Sequence, residues 1–169
     1  TKAEEKDIPQ FKRDIQQAFQ KGFEAYYGET EGQVLPEKDI DMSMTKKGAI
    51  TYKAVLDGKI AGGAIVVINE ETGHNELDLL YVKYGEQTKG VGHAIWSQIE
   101  KLHPETKVWE TCTPYFEKRN IHFYVNKCGF KIDEFWCEYF QPDHEMPDDD
   151  EHDPDEGPDE MFRFVKIMK

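Results

Sequence analysis

A chain of 169 residues with 38% hydrophobic and 33% charged residues is long enough to bury its own core, and its composition is that of a folded domain rather than a disordered or fibrous one. No apolar run approaches the roughly 20 residues that span a bilayer, and the opening TKAEEKDIPQ lacks the pattern of a signal peptide, so no membrane association is expected. The net charge of −13 argues against nucleic-acid binding, but most of it is local: residues 143–160 hold eleven Asp and Glu and no Lys or Arg, which leaves −2 on the other 151 residues.

Ile8, Phe11, Ile15, Ala18, Phe19, Phe23 and Tyr26 recur at steps of three and four, which predicts an opening amphipathic helix with Pro9 in its first turn and Gly28 at its end. LPEKDI suits one further helical turn. AITYKAVL and KIAGGAIVVI flank Asp57-Gly58, the turn dipeptide of a β-hairpin. NELDLLYVK is a third strand, central because so much of it is apolar. From Gly90 the pattern is helical, with Val91, Ala94, Ile95, Ile99 and Leu102 on one face and an end near His103-Pro104. KVWETCT is a strand, YFEKRNIHFYVNKC a helix closed by Gly129, and FKIDEFWCEYF a longer strand. The acidic segment with its three prolines precedes a last strand in MFRFVKIMK. Strands joined through helices imply some parallel pairing, and the hairpin implies antiparallel pairing. The expected fold is therefore α/β: one domain over residues 1–169, with a mixed, partly parallel central sheet and helices on both faces.

The stretch YGEQTKGVGHAI, residues 84–95, joins the third strand to the helix after it. A glycine-rich turn there aims unpaired backbone N–H groups and the positive end of a helix dipole at one place, which suits phosphate. Gly85 and Gly90 have P-loop spacing, but Val91 and Gly92 stand where Lys and Ser or Thr belong. Gly90 and Gly92 begin a dinucleotide fingerprint, but Ile95 fills its third position. A third pattern, Q/R-x-x-G-x-G/A, fits throughout as Gln87-Thr88-Lys89-Gly90-Val91-Gly92.

With that motif, and with NIHFYVNKCGFK about thirty residues on, the sequence over residues 50–140 resembles the Gcn5-related N-acetyltransferase (GNAT) superfamily. The resemblance implies an acetyl-CoA-dependent N-acetyltransferase, with the pyrophosphate gripped by Gln87, Thr88, Lys89, Gly90, Val91 and Gly92. It further implies a pantetheine arm lying between ELDLLYV and KVWETCT, near Val82, with the Leu80 N–H facing the thioester oxygen and Asn120 bonding the arm. Glu76, eleven residues before Gln87, takes the place of the family's catalytic glutamate; Glu110, on the next strand, is the second candidate. A glutamate among apolar strand residues is expected to hold its proton more tightly than one in water. The family's tyrosine acid lies four residues before the Gly of the Gly-Phe pair. Tyr124 lies five before Gly129, and Val125 holds the usual place, so either the helix end is adjusted or Tyr124 points into the core.

Direct transfer to an amine needs no nucleophile, so Cys112 is read as a core residue, and with Cys128 and Cys137 as a reduced thiol of a cytoplasmic protein. His144 and His152 lack metal-site spacing, and no metal is expected. The acceptor is a primary amine of a small molecule or peptide. A cationic one would suit the acidic segment, although that composition equally describes a disordered solubilising loop. A homodimer is compatible with the chain. The alternative function is a non-catalytic acyl-CoA-binding sensor or partner-binding module, which the displacement of Tyr124 favours.

Overall fold

The computed structural model describes residues 1–29, 32–86, 90–140 and 160–168. The chain forms two compact units, Thr1–Trp109 together with Met168, and Glu110–Ile167.

In the first unit, helix α1 (Ile8–Tyr27) has Pro9 in its first turn, and its Gly28 cap adopts φ +81°. Phe11 and Ile15 are fully buried, while Tyr26 is exposed, so the last turn of the predicted apolar stripe leaves the core. Helix α2 (Glu37–Thr45) is longer than the single turn expected. Strands β1 (Ala49–Leu56) and β2 (Lys59–Val67) form the predicted hairpin. Its turn residues Asp57 (φ 51°) and Gly58 (φ 77°) are both left-handed, matching the right-handed twist of the strands they join. Strand β3 (His74–Val82) pairs antiparallel with β2, so β2 is flanked on both sides. Helix α3 (Val91–Leu102) leads to β4 (Val108–Pro114), giving the order β1-β2-β3-β4; the helical crossover from β3 to β4 is the connection that parallel neighbours require.

β2 is buried from Ala61 to Val66 because helices cover both of its faces. Two glycines show how closely. A Cβ on Gly63 would lie 2.5 Å from the Phe11 ring of α1, and one on Gly62 would lie 3.0 Å from Ile95 Cδ1 of α3. The α1–α2 face therefore packs Phe11, Ile15, Ile40, Ile65 and Tyr81 into one cluster. On the α3 face Val91, Ile95, Trp96 and Ile99 are buried, but Ala94 and Leu102 are exposed, contrary to the predicted stripe. The helix is rotated so that Trp96, with far more apolar surface than Ala94, packs edge-on to Trp109 at 5.1 Å.

In the second unit, β4 continues and the order is β4-β6-β5. Strands β5 (Lys131–Trp136) and β6 (Met161–Ile167) pair antiparallel. The helix predicted up to Cys128 is instead a short α4 (Lys118–His122) followed by a π-helical turn (Phe123–Lys127), and the strand expected to reach Phe140 ends at Trp136. Beyond it Cys137 and Phe140 close a tight turn with N–H···O bonds of 2.9 and 3.1 Å. The acidic segment, with His144 and His152, lies outside the described residues except for Glu160.

Candidate active site

The site is built first on β3. Pairing residues share a face of the sheet, and β2 sends Ile65 and Gly63 toward α1 and Gly62 toward α3. Register then places every β3 side chain. Glu76 opposes Val67, Leu79 opposes Ile65 and Tyr81 opposes Gly63, all on the α1–α2 face; Leu77, Leu80 and Val82 oppose Val66, Ala64 and Gly62 on the α3 face. Glu76 and Tyr81 are five residues apart and should face opposite ways. They share a face because Asp78 is an extra residue, a β-bulge between Leu77 and Leu79.

The backbone of β3 matters as much. The Lys83 N–H donates to the Ala61 carbonyl at 2.8 Å, so by alternation Tyr81 also bonds toward β2, while the N–H and C=O groups of Leu80 and Val82 point away from it. The strand then runs through a turn, with the Glu86 N–H donating to the Lys83 carbonyl at 2.9 Å, into the start of α3. Gly90 caps that helix in the left-handed region (φ 71°, ψ 15°), and a Cβ built on it would meet nothing within 4 Å. The first turn of α3 holds no acidic residue and its cap makes no side-chain hydrogen bond, so the N–H groups that begin the helix have nothing negative on their own turn. Gln87, Thr88 and Lys89 lie outside the described residues.

Two further polar groups on this face escaped the sequence reading. Asp14 of α1 is 8% exposed with no hydrogen-bond partner for Oδ2, and the Tyr81 hydroxyl, on a residue 2% exposed, likewise has none. Burial first, and then the Asp14 carboxylate, push the Tyr81 phenol well above its ordinary range. An acid between Phe11 and Ile15 in an otherwise apolar stripe was the available signal.

In the second unit, alternate residues of β4 divide the candidates. Thr111 and Thr113 are buried on one face, while Glu110 and Cys112 on the other are half-buried. Asn120 of α4 donates from Nδ2 to the Thr113 hydroxyl at 3.3 Å. Tyr124 is 7% exposed, packed edge-on or tilted among Phe123, Phe130 and Phe164 and hydrogen-bonded to the Thr111 side chain. Its burial raises the phenol pKa strongly. It therefore lies deep in the unit, on the face that also carries Asn120. Its helix end is adjusted: the Cys128 N–H reaches back five residues to the Phe123 carbonyl at 3.0 Å, a π-turn that absorbs one extra residue. Glu110 is held otherwise. Arg163 of β6 places Nε and Nη2 each 2.9 Å from its two carboxylate oxygens, with Asp133 and Glu134 completing the cluster. Glu110 first, by hydrogen bonding, raises the Arg163 pKa further. The structure thus joins Tyr124 with Asn120 around Thr111 and Thr113 and puts Glu110 on the opposite face of the strand.

Residues 12–130 match the model of the Acetyltransferase (GNAT) family. The chain belongs to that family. The acetyltransferase is also 46% identical over 169 residues to the uncharacterized protein YrkN of Bacillus subtilis (strain 168), a match covering 99% of this chain and 91% of YrkN. Among solved structures it shares the fold of the ribosomal-protein-S18-alanine N-acetyltransferase of Escherichia coli, with a TM-score of 0.69, 14% identity, and 100% and 92% of the two chains covered. The PaiA N-acetyltransferase of Thermoplasma acidophilum, crystallised with coenzyme A, aligns with a TM-score of 0.67 and 14% identity over 99% and 97% of the chains. A Bacillus subtilis acetyltransferase in complex with CoA aligns with a TM-score of 0.59 and 21% identity over 79% and 86%.

Family membership makes the protein an N-acetyltransferase that uses acetyl-CoA as co-substrate. Its residues fit that molecule: the space a Cβ would take at Gly90 is open, as a phosphate cradle needs, and β3 ends there with outward-facing amides. Among the described residues no group of His, Cys, Asp and Glu could hold a metal ion, and no helix is long and apolar enough to cross a membrane. Cys112 is a half-buried thiol.

Proposed function

We propose that the whole chain acts as one acetyltransferase domain, moving the acetyl group of acetyl-CoA directly to a primary amine of a small molecule or peptide. The observation that carries this reading is the composition of β3: within seven residues the strand offers a half-buried carboxylate at Glu76 and outward backbone groups at Leu80 and Val82, and eight residues further on α3 begins at a left-handed glycine cap. The N–H groups at Gly90, Val91 and Gly92, with Gln87, Thr88 and Lys89, hold the pyrophosphate, and Asn120 holds the arm. The Leu80 N–H stabilises negative charge on the thioester oxygen as the amine attacks the carbonyl carbon. Glu76 accepts the proton of the acceptor ammonium, directly or through water, so that a neutral amine makes the attack. As the carbon–sulfur bond breaks, Tyr124 donates its proton to the departing sulfur, and the second proton that the amine nitrogen sheds as the amide forms restores the phenol through water. The π-turn supports that role by compensating the extra residue before Gly129. Glu110, forked to Arg163, takes no part in proton transfer.

The test is thiol release from acetyl-CoA in the presence of spermidine, kanamycin, a lysine-rich peptide and a peptide beginning with alanine. The last is included because one structural relative is named for acetylating the alanine of a ribosomal protein. Amine-dependent release that falls in Glu76→Gln supports the reading. CoA binding without release for any amine would overturn it in favour of a binding module.

A further inference from the structure

The bulge that turns Glu76 onto the α1–α2 face is held from outside the strand. Asp78 is the extra residue of that bulge. Here its side chain is 16% exposed and both carboxylate oxygens are engaged by α2. The Ser43 hydroxyl, on a residue 3% exposed, donates to Oδ2 in a short bond, and Lys46 Nζ donates to Oδ1 at 3.1 Å. Ser43 lies in the last turn of α2, and Lys46 is the residue that caps it.

That helix is itself fixed. Lys12 of α1 reaches Glu37 at 3.2 Å and also pairs with Asp41. Past Lys46 the chain turns at once into β1, with the Ala49 N–H donating to the Lys46 carbonyl at 3.0 Å and the Ile68 N–H to the Gly48 carbonyl at 2.9 Å. A Cβ on Gly48 would lie 2.3 Å from the Ile68 carbonyl oxygen, so the turn cannot loosen without breaking that approach.

Such an anchor has a purpose in register. A bulge can migrate along a strand, and moving it past Glu76 returns that residue to plain alternation with Tyr81, sending the carboxylate to the α3 face. A mostly buried carboxylate with two donors resists this, because sliding would leave a charge buried without partners. We infer that Asp78, clamped by Ser43 and Lys46, is a positioning residue that holds the bulge where Glu76 keeps its orientation for transfer. The inference rests on the assignment of Glu76 as base.

The experiment uses the full chain, acetyl-CoA and whichever amine of the panel above gives the fastest thiol release. Asp78→Ala lowers kcat by about 10²-fold, the order of loss seen when a reacting group is misplaced by about 1 Å, while KM for acetyl-CoA stays within about twofold. Lys46→Met, which leaves the Ser43 bond in place, gives an intermediate loss and serves as the reading should Asp78→Ala fail to fold. In a Glu76→Gln background either change costs less than about threefold, because there is no longer a base to position. Amide exchange of Leu77 to Leu80 accelerates in both variants, with the CoA-induced thermal shift retained. Wild-type kcat in Asp78→Ala and Lys46→Met, with Glu76→Gln impaired, overturns the clamp alone, as do losses that are equal in the two backgrounds. A Glu76→Gln enzyme at full rate overturns the base assignment instead.

Discussion

Gly90→Ala separates the backbone's need for glycine from the ligand's need for space. The residue has φ +71°, where a Cβ costs about 1–2 kcal/mol, but that Cβ would touch nothing within 4 Å, so no clash adds to the strain. For a chain of this size that loss is roughly 2–8 °C in Tm. Gly58 is a built-in control: its φ is +77°, its Cβ would also meet nothing, and it lies in the β1–β2 hairpin. Gly58→Ala should cost the same stability and leave CoA affinity unchanged. Gly90→Ala should in addition lose one or two hydrogen bonds between backbone N–H groups and a charged phosphate, each worth about 1.5–3 kcal/mol, so that Kd for CoA rises at least about tenfold. Isothermal titration gives the affinities, and thermal unfolding with CoA at about 100 Kd should raise the wild-type Tm by roughly 5–10 °C. Equal CoA affinity in the two variants would refute the assignment of the Gly90 turn to the pyrophosphate.

Glu76→Gln is expected to lower turnover by about 10²- to 10⁴-fold without changing CoA affinity, and the deficit should shrink as pH rises and the acceptor amine loses its own proton, which a pH–rate profile would show. Gly63→Ala should destabilise by about 1–3 kcal/mol, because its Cβ would lie 2.5 Å from the Phe11 ring and 2.6 Å from the Tyr52 carbonyl oxygen; urea unfolding with an unchanged midpoint would contradict the packing described. The raised pKa of Tyr124 gives a signed alkaline effect: the folded state holds the proton that the unfolded state begins to lose near pH 10, so stability present below that pH declines above it, by up to about 1.4 kcal/mol per pH unit. Tyr124→Phe should flatten that decline between pH 10 and 11.5, and an identical slope would mean the phenol is not buried.

Local signals were enough for much of this protein. The apolar stripe and Pro9 specified α1, Asp57-Gly58 specified the hairpin turn, and the largely apolar run NELDLLYVK specified β3, because each depends on a few neighbours in the chain. The glycine-rich motif disclosed the cofactor for the same reason, since a tight turn at a helix start is a property of consecutive residues. What no local pattern carried was which way side chains face once strands pair. Strict alternation puts Glu76 and Tyr81 on opposite faces, and only pairing with β2 reveals the bulge at Asp78 that unites them. Asp78 read alone was an unremarked polar residue. Its partners Ser43 and Lys46 are more than thirty residues away in sequence and meet it only through packing of α2. Glu110 was the second candidate on sequence, and nothing local announced that β6 brings Arg163 to it across fifty-three residues. The extra residue before Gly129 was visible as a miscount, but whether a π-turn or a reoriented side chain would absorb it depended on Thr111, Phe130 and Phe164 closing around Tyr124. Sequence determined the elements and the cofactor motif through short-range propensity; register and long-range pairing, which exist only when the chain is folded, decided which face of the sheet each acid occupies.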